Sequence, residues 1–289
     1  MQAQTRIEKG LAAALGRAAR PGAPKQLAGA MRYAVFPGGA RIRPQLCLAV
    51  AASCGDDDPE TATAAAVAIE LLHCASLVHD DLPCFDAAET RRGKPAVHRA
   101  FGEPVAVLAG DALIVLAFET LSYRIPQAPA RTAGLLRIVA GAVGMPFGIV
   151  AGQAWESEPD AILADYQRAK TGSLFAAATE TGAVAAGGDA TLWRMLGERL
   201  GEAYQVADDI HDVVGDAEAM GKPIGQDASR DRPNAVMYHG LDGATKHLKQ
   251  LVRDAMESIP PSPGAPALRK LIEAESKRFL PAELAQDVA

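Results

Sequence analysis

"PETATAAAVAIELLHCASLVHDDLPCFD", residues 59–86, is apolar over most of its length and becomes acidic at its end. A helix that is apolar on nearly all faces lies at the centre of a helical bundle rather than on its surface. We therefore predict a buried central helix over residues 60–82. At its C-terminal end the helix dipole and the loss of water both oppose ionised carboxylates, so a cation is expected beside Asp80 and Asp81.

The rest of the chain also favours helices. Of its 289 residues, 49% are hydrophobic and only 5% are aromatic, a composition that favours packed helices over a β-sandwich or barrel. Proline and glycine clusters divide the sequence into helical segments, without the alternation of strands and helices that a parallel sheet requires. We predict an all-α fold. The candidate helices span residues 5–19, 25–36, 41–54, 60–82, 104–125, 131–144, 159–185, 189–215, 239–257 and 266–279.

Composition and charge argue against several classes of protein. The formal net charge of −6 disfavours a nucleic-acid binder, which needs a basic surface. The four cysteines lack CxxC spacing and indicate reduced thiols rather than zinc ligands. The N-terminus lacks the apolar run of a signal peptide, and the most membrane-like segment, residues 138–152, is short and interrupted by Pro146. We expect a cytoplasmic protein without an integral membrane segment.

A second acidic cluster lies in "YQVADDIHDVVGD", residues 204–216. Asp208 and Asp212 are one helical turn apart, with Asp209 beside them, and like charges at this spacing destabilise a helix unless they share a cation. Carboxylates without histidine or thiolate partners suit Mg²⁺, which completes its coordination with water and substrate phosphate oxygens. The expected substrate is therefore a phosphate ester, and basic residues should converge on it. The candidates are Arg41, Arg43, Arg91, Arg92, Lys170 and Lys222.

In combination these motifs resemble those of the trans-isoprenyl diphosphate synthases over nearly the whole chain. "DDLPCFD", residues 80–86, is similar to the first aspartate-rich motif of the family and is followed by "RRGKP"; "DDIHD", residues 208–212, is similar to the second. "GGARIRP", "LLHCASLVHDD", "AGDAL", "GQAWE" and "KTGSL" occur in the family's order and approximate spacing. The resemblance implies a single domain over residues 1–289, a helical bundle around a deep central apolar cavity, and a homodimer.

The resemblance also implies a reaction. Isopentenyl diphosphate would condense with dimethylallyl, geranyl or farnesyl diphosphate by ionisation, condensation and elimination, with three Mg²⁺ ions in each active site. The implied metal ligands are Asp80, Asp86, Asp208 and Asp212. The implied catalytic residues are Asp80, Asp81, Asp86, Lys170, Thr171, Gln205, Asp208 and Asp209. The allylic diphosphate would be bound by Arg91, Lys170 and Lys222, and isopentenyl diphosphate by Arg43, His73 and Arg92.

Some positions depart from the family's pattern or carry a structural expectation. Ala40 replaces a lysine that contacts isopentenyl diphosphate, which leaves that subsite either weaker or rebuilt by Arg41. Glu156 replaces an aspartate, keeping the charge but extending its reach. Asp111, in "AGDAL", is expected to form a buried structural pair rather than to take part in catalysis.

Product length in the family depends on side chains one turn before the first aspartate-rich motif. Here these are Ala75 and Ser76, which are too small to block a fifteen-carbon tail. The sequence therefore resembles most the bacterial members that make twenty-carbon geranylgeranyl diphosphate for carotenoid or bacteriochlorophyll synthesis.

Three other interpretations stay open at this point. The product could be farnesyl diphosphate, the nearest rival. The chain could be a non-catalytic partner subunit, as the loss of the lysine at Ala40 would allow. The pairs His79–Asp80 and His211–Asp212 also permit a helical phosphohydrolase in which histidine and aspartate share a metal.

Overall fold

The computed structural model describes residues 3–158, 162–214 and 234–276, and these ranges confirm the all-α prediction. Two short strands, β1 (Thr90–Arg91) and β2 (Lys94–Pro95), form a hairpin between α4 and α5. The helical elements are α1 (Ala3–Ala18), α2 (Lys25–Val35), α3 (Ile42–Ser53), α4 (Pro59–Asp80), α5 (Val97–Phe101), α6 (Glu103–Ser122), α7 (Pro129–Val143), α8 (Ile149–Trp155), α9 (Leu163–Gln167), a π-helical turn (Arg168–Gly172), α10 (Ser173–Ala185), a 3-10 turn (Ala190–Leu192), α11 (Arg194–Val214), α12 (Ala235–Glu257) and α13 (Ala265–Ser276).

Helix α4 is the central helix that the sequence predicts. It begins where the Asp58 carboxylate accepts a hydrogen bond from the Thr61 backbone N–H at 3.1 Å, with Pro59 in the first turn, an arrangement that satisfies a free helical N–H. Most of its side chains are buried, and it packs against α3, α6 and α10. Its C-terminal end carries Asp80 to the top of the bundle.

The hairpin that follows α4 depends on an unusual backbone at its turn. Arg92 and Gly93 have φ angles of 54° and 72°, and two consecutive positive φ values give the tight turn whose twist matches that of paired strands. The turn separates two neighbouring arginines, so that Arg91 lies in a strand and Arg92 lies at the tip.

Some predicted helix boundaries are wrong, and each difference has a local cause. The helix predicted over residues 159–185 is three elements in its described part, because the chain forms a π-helical turn at Arg168–Gly172. Helix α8 lies between two of the predicted helices, in a segment for which no helix is predicted. Helix α12 begins at Ala235, after Asn234, whose side chain accepts a hydrogen bond from the Met237 N–H at 2.9 Å. It is kinked at Gly240, which has a non-helical backbone, and the helix predicted over residues 239–257 corresponds to the part beyond this kink.

Helices α4, α6, α7 and α8 surround an apolar cavity of about 320 Å³, a size within the range of small-molecule binding sites. Asp80 lies at one end of the cavity, and the wall reaches down to Leu72, two helical turns below it. By length and composition α4 and α6 could each cross a membrane. In α4 the apolar window is 78% buried within the bundle, whereas in α6 it is only 44% buried, so α6 presents an apolar outer face.

Candidate active site

The cation expected beside Asp80 is Lys170. The Lys170 Nζ atom lies 3.0 Å from Asp80 Oδ1 and 2.7 Å from Glu156 Oε1. All three side chains are at most 20% exposed. Burial raises the pKa of Asp80; Lys170 opposes this shift and the neighbouring Asp86 adds to it. The Asp86 backbone N–H donates to the Asp80 carbonyl at 2.9 Å, which keeps these two residues of the first motif together.

Asp81 is paired with a different cation. It is buried, and its carboxylate accepts hydrogen bonds from Arg91, including one from Nε at 3.0 Å. Burial raises the pKa of Asp81, and Arg91 opposes that shift. The two adjacent aspartates at the end of α4 are thus each paired with a different cation, Asp80 with Lys170 and Asp81 with Arg91. These ion pairs offset the cost of placing two carboxylates at the buried C-terminal end of a helix.

A close backbone contact places Lys170 at the mouth of the cavity. A Cβ atom on Gly152 would lie 2.3 Å from the Lys170 backbone nitrogen, so only glycine allows α8 to pack so closely against the π-helical turn. Such turns within helices are frequent at functional sites. The turn gives Lys170 and Thr171 a backbone position that an uninterrupted helix would not provide.

The second acidic cluster lies on α11. Thr171 Oγ1 donates to Gln205 Oε1 at 3.0 Å, and Gln205 Nε2 donates to Asp209 Oδ1 at 2.9 Å. Asp209 is buried, and its other oxygen accepts a hydrogen bond from the Ala235 N–H at 2.8 Å. The structure therefore brings Thr171 and Gln205 together, and it joins Asp209 to the first residue of α12.

The outer residues of this cluster are Asp208, which is half-buried, and Asp212, which is buried. They remain one turn apart on α11. Among the described residues, no group of three or more His, Cys, Asp or Glu side chains forms a ready-made metal cage. A donor set of one or two carboxylates fits Mg²⁺, which takes its other ligands from water and substrate. Lys222 lies outside the described residues.

A second group of cations, Arg43 and Arg92, lies next to His73 of α4. Arg43 is buried, its Nε has no hydrogen-bond partner among the described residues, and its guanidinium lies 4.3 Å from the centre of the Phe175 ring. Burial lowers the pKa of Arg43, with Arg92 contributing in the same direction. Burial also holds the pKa of His73 well below its ordinary value, assisted by Arg43 and Arg92. Buried positive charges that repel one another, with a donor left unsatisfied, indicate a site for an anion.

Arg41 does not belong to this cluster, so the idea that it rebuilds the subsite next to Ala40 is wrong. Its guanidinium is buried and bound by Glu70 at 2.5 Å, Glu8 at 2.9 Å and the Val35 carbonyl at 2.8 Å. Although burial opposes it, these partners raise the pKa of Arg41. A guanidinium binds an incoming anion through its N–H donors. In Arg41 the carboxylates of Glu70 and Glu8 already use these donors.

His79 is paired with residues of α6. Its Nε2 lies 3.1 Å from the Val107 carbonyl and 3.6 Å from Asp111 Oδ1, both on α6. The phosphohydrolase interpretation requires His79 and Asp80 to share a metal, whereas His79 is engaged with α6 and Asp80 with Lys170. Asp111 was expected to be buried, but its side chain is 58% exposed; its partner is His79, at the edge of the α4–α6 contact.

Ala75 and Ser76 line the cavity, as the chain-length prediction requires. Ala75 is 1% exposed, and the Ser76 hydroxyl donates to the His73 carbonyl at 2.9 Å, so the wall remains free of unpaired polar groups. His79 meets Val107, and α4 and α6 run antiparallel. Ile114, seven residues beyond Val107, is therefore level with Leu72, seven residues before His79.

Two functional candidates were missed by the sequence analysis, Gln153 and Tyr166. Gln153 Nε2 donates to Glu156 Oε2 and the Tyr166 hydroxyl donates to Glu156 Oε1, each at 2.7 Å. The spacing of Gln153 and Glu156 in "GQAWE" offered a signal, because residues three apart lie on one helical face. Tyr166 carried no comparable signal.

Comparison with known proteins agrees with this geometry. The polyprenyl synthetase family model matches residues 24–265. The chain is 54% identical over 288 residues to a geranylgeranyl diphosphate synthase of Cereibacter sphaeroides, covering 100% of both proteins. It is 50% identical to the corresponding enzyme of Rhodobacter capsulatus, covering 97% of each. A farnesyl diphosphate synthase of Geobacillus stearothermophilus is 40% identical over 78% of this chain and 79% of its own length.

Solved structures share the fold. A geranyltransferase from Legionella pneumophila superposes with a TM-score of 0.80 at 30% identity, covering 95% of this chain and 94% of the other. A geranyltransferase from Helicobacter pylori, complexed with magnesium and isoprenyl diphosphate, gives a TM-score of 0.78 at 29% identity, covering 94% and 95%. The predicted bundle around an apolar cavity is thus a known architecture.

Proposed function

Since the chain belongs to the polyprenyl synthetase family and is a prenyltransferase of isoprenoid synthesis, we propose that its main product is geranylgeranyl diphosphate. The observation that carries this product is the cavity, which opens at Asp80 and is bordered below that opening by the small side chains of Ala75 and Ser76. The similarity to two geranylgeranyl diphosphate synthases over essentially the whole chain supports the same product.

We assign the metal ligands to Asp80 and Asp86 at the cavity mouth and to Asp208 and Asp212 on α11. When bound, Mg²⁺ supplies positive charge that stabilises the departing diphosphate. Three ions per site are expected from the family resemblance. Support comes from the oxygen-only character of these side chains, from the location of Asp80 at the cavity, and from the magnesium in the related H. pylori geranyltransferase.

The allylic diphosphate is proposed to lie against Lys170, Arg91 and Lys222, with its hydrocarbon tail in the cavity. The bond between the allylic carbon and the diphosphate oxygen breaks, and the electron pair leaves with the diphosphate. Thr171 and Gln205, joined by a hydrogen bond, direct the dipoles of their oxygen atoms toward the allylic cation. Asp81 supports this arrangement by holding Arg91, and Asp209 does so by holding Gln205.

Isopentenyl diphosphate is proposed to bind at two cations, Arg43 and Arg92, and at the neighbouring His73. Its double bond attacks the allylic carbon and forms a carbon–carbon bond. The released diphosphate then accepts a proton from the adduct, which restores a double bond and leaves an allylic product five carbons longer. Because the pKa of His73 is held low, His73 contributes as a neutral hydrogen-bond donor.

The test is incubation of the purified protein with Mg²⁺, isopentenyl diphosphate and dimethylallyl, geranyl or farnesyl diphosphate in turn, followed by measurement of product length. We expect a dominant twenty-carbon product. A dominant fifteen-carbon product would instead identify a farnesyl diphosphate synthase. No elongation of any primer would leave a non-catalytic partner subunit, and Asp80→Ala with near-normal turnover would contradict the metal assignment.

We also infer a homodimer, built as a single domain from residues 1–289 and located in the cytoplasm. The outer face of α6 supports the dimer, since Leu108 is 53% exposed and Val115 is 65% exposed and exposed apolar stripes mark protein interfaces. Sedimentation of Val115→Lys beside the wild type tests this assignment. We expect the variant to shift toward monomer. A wild-type protein that itself sediments as a monomer would refute the dimer.

A further inference from the structure

Lys170 is shared between two carboxylates that belong to different elements. Asp80 ends α4, and Glu156 follows the last residue of α8. The Lys170 Nζ is 0.3 Å closer to Glu156 (2.7 Å) than to Asp80 (3.0 Å). Of these two acids, only Asp80 lines the cavity. Glu156 is therefore placed to hold the ammonium group without lying where the substrate's tail would lie.

Glu156 is itself held in place by two neutral donors. The Tyr166 hydroxyl binds the same oxygen, Oε1, that accepts from Lys170, and the Gln153 amide binds the other oxygen, Oε2. The Glu156 side chain is only 14% exposed. A buried carboxylate with both oxygens hydrogen-bonded has a fixed direction, so it fixes the location of the cation that it binds.

We propose that Glu156 is a positioning residue for Lys170, holding its ammonium group at the cavity mouth so that it meets the diphosphate of the allylic substrate. The inference rests on the proposed function. In the structure the Lys170 ammonium is shared between Glu156 and one oxygen of Asp80. Without Glu156 it would keep Asp80 as its remaining carboxylate partner and would compete more strongly with the metal for that oxygen. The carboxylate of Glu156 thus has two effects. It places Lys170 to bind the diphosphate, and it leaves Asp80 available to bind the metal.

The inference predicts a selective effect of Glu156→Gln. A charge-assisted hydrogen bond is lost while the size of the side chain is kept. We expect the KM for geranyl diphosphate to rise about tenfold and the Mg²⁺ concentration for half-maximal activity to rise as well. The KM for isopentenyl diphosphate should change less than about twofold, because its proposed ligands are Arg43, His73 and Arg92 rather than Lys170. Binding of geranyl diphosphate with Mg²⁺, measured by calorimetry without turnover, should weaken by the same factor as its KM rises.

Matched variants separate positioning from a purely structural role. Glu156→Asp keeps the carboxylate and should recover most of the affinity for geranyl diphosphate. Tyr166→Phe removes one donor to Glu156 and should weaken that affinity by a smaller factor in the same direction. Glu180→Gln is the control, since Glu180 is 12% exposed and also faces a cation, Arg194 at 3.5 Å; it should leave both KM values unchanged.

Three results would overturn the inference, provided that the wild-type protein elongates its primer. Glu156→Gln with an unchanged KM for geranyl diphosphate is the first, and an equal rise of both KM values together with a lower melting temperature is the second. Failure of Glu156→Asp to recover more affinity than Glu156→Gln is the third. A wild-type protein that elongates no primer would refute the proposed function itself, so the two failures are distinguishable.

Discussion

Arg43 is a residue whose environment costs stability and which we propose to bind substrate. Its guanidinium is buried over the Phe175 ring, and its Nε finds no partner among the described residues. A buried donor without a partner costs about 1–3 kcal/mol. Such a cost is retained in proteins where a ligand supplies the missing partner, as at strained functional sites. The diphosphate of isopentenyl diphosphate would supply it here.

Arg43→Met should therefore separate stability from binding. Methionine keeps the apolar contact with Phe175 and removes an unsatisfied buried charge, so the melting temperature should stay the same or rise. The KM for isopentenyl diphosphate should rise by about tenfold to a hundredfold, and the KM for the allylic substrate should hardly change. Arg131→Met, on a surface pair with Asp57, is the control. A loss of stability without a change in either KM would contradict the assignment.

His73 should make the stability of the protein depend on pH. Burial and the positive charges of Arg41, Arg43, Arg91 and Arg92 hold its folded-state pKa well below 6.5. As pH falls through 6.5, His73 binds a proton in the unfolded chain but not in the folded protein, so the free energy of unfolding decreases. Urea unfolding between pH 7.5 and 5.5 should show a smaller decrease for His73→Gln than for the wild type.

The control for this measurement is Met195→Leu, because Met195 is exposed on α11 and is not titratable. It should retain the wild-type dependence of stability on pH. Equal slopes for wild type and His73→Gln would show that the cation cluster does not act on His73.

At the scale of single residues, the sequence identifies the arginines that could bind an anion, but it does not predict which partners each of them has in the folded protein. "GGARIRP" places Arg41 and Arg43 two positions apart, and nothing local distinguishes them. Their fates differ because Glu70, in the middle of α4, forms an ion pair with Arg41, whereas the Arg43 guanidinium lies over the Phe175 ring. That difference depends on the packing of α4 against α3, which a short motif cannot encode.

At the scale of elements, the hairpin β1–β2 orients two diphosphate-binding candidates at once. Lys94 Nζ donates to the carbonyls of Tyr33 and Phe36, the latter at 2.8 Å, at the C-terminal end of α2. The Tyr33 hydroxyl returns a hydrogen bond to the Pro95 carbonyl at 2.9 Å. These bonds fix the hairpin, and with it Arg91 and Arg92, against α2.

Lys94→Met should consequently raise the KM values of both substrates, unlike the substitutions at Arg43 and Glu156. Each hydrogen bond from a charged group contributes about 1.5–3 kcal/mol. Without the hydrogen bonds of Lys94, the turn of the hairpin should be displaced. We expect increases of about threefold to tenfold for both substrates. Lys270→Met, at the exposed surface of α13, is the control. An effect on one substrate alone would show that Lys94 contacts that substrate rather than positioning the hairpin.

The elements themselves could be predicted only in part. The mostly apolar residues 60–78 predict α4 well, because a helix that is apolar on nearly all faces belongs at the centre of a bundle. The π-helical turn at Arg168–Gly172 could not be predicted, since it forms where α8 approaches the chain through Gly152. A local pattern describes one helix, whereas this turn is the result of a contact between two.

At the scale of the whole molecule, the proposed product length rests on the cavity between four helices. Its wall below Asp80 is formed by Ala75 and Ser76 of α4, and lower down by Leu72 and by Ile114 of α6. The sequence predicts the upper pair from motif position alone. Ile114 could be placed only by the structure, because it reaches the cavity through the antiparallel packing of α6 on α4.

Substitutions at the two levels should move product length in opposite directions. Ala75→Phe places a ring across the upper part of the cavity, so elongation should stop at fifteen carbons. Ile114→Ala removes a side chain lower down, so the product should exceed twenty carbons, at a cost of about 2–5 kcal/mol in unfolding free energy. Val115→Ala is the control, because the adjacent Val115 is 65% exposed and lies outside the cavity lining. Chromatography of the dephosphorylated products measures all three. If Ala75→Phe and Ile114→Ala both still gave twenty-carbon product, the tail would not occupy this cavity, since a tail lying there cannot tolerate a blocked upper wall.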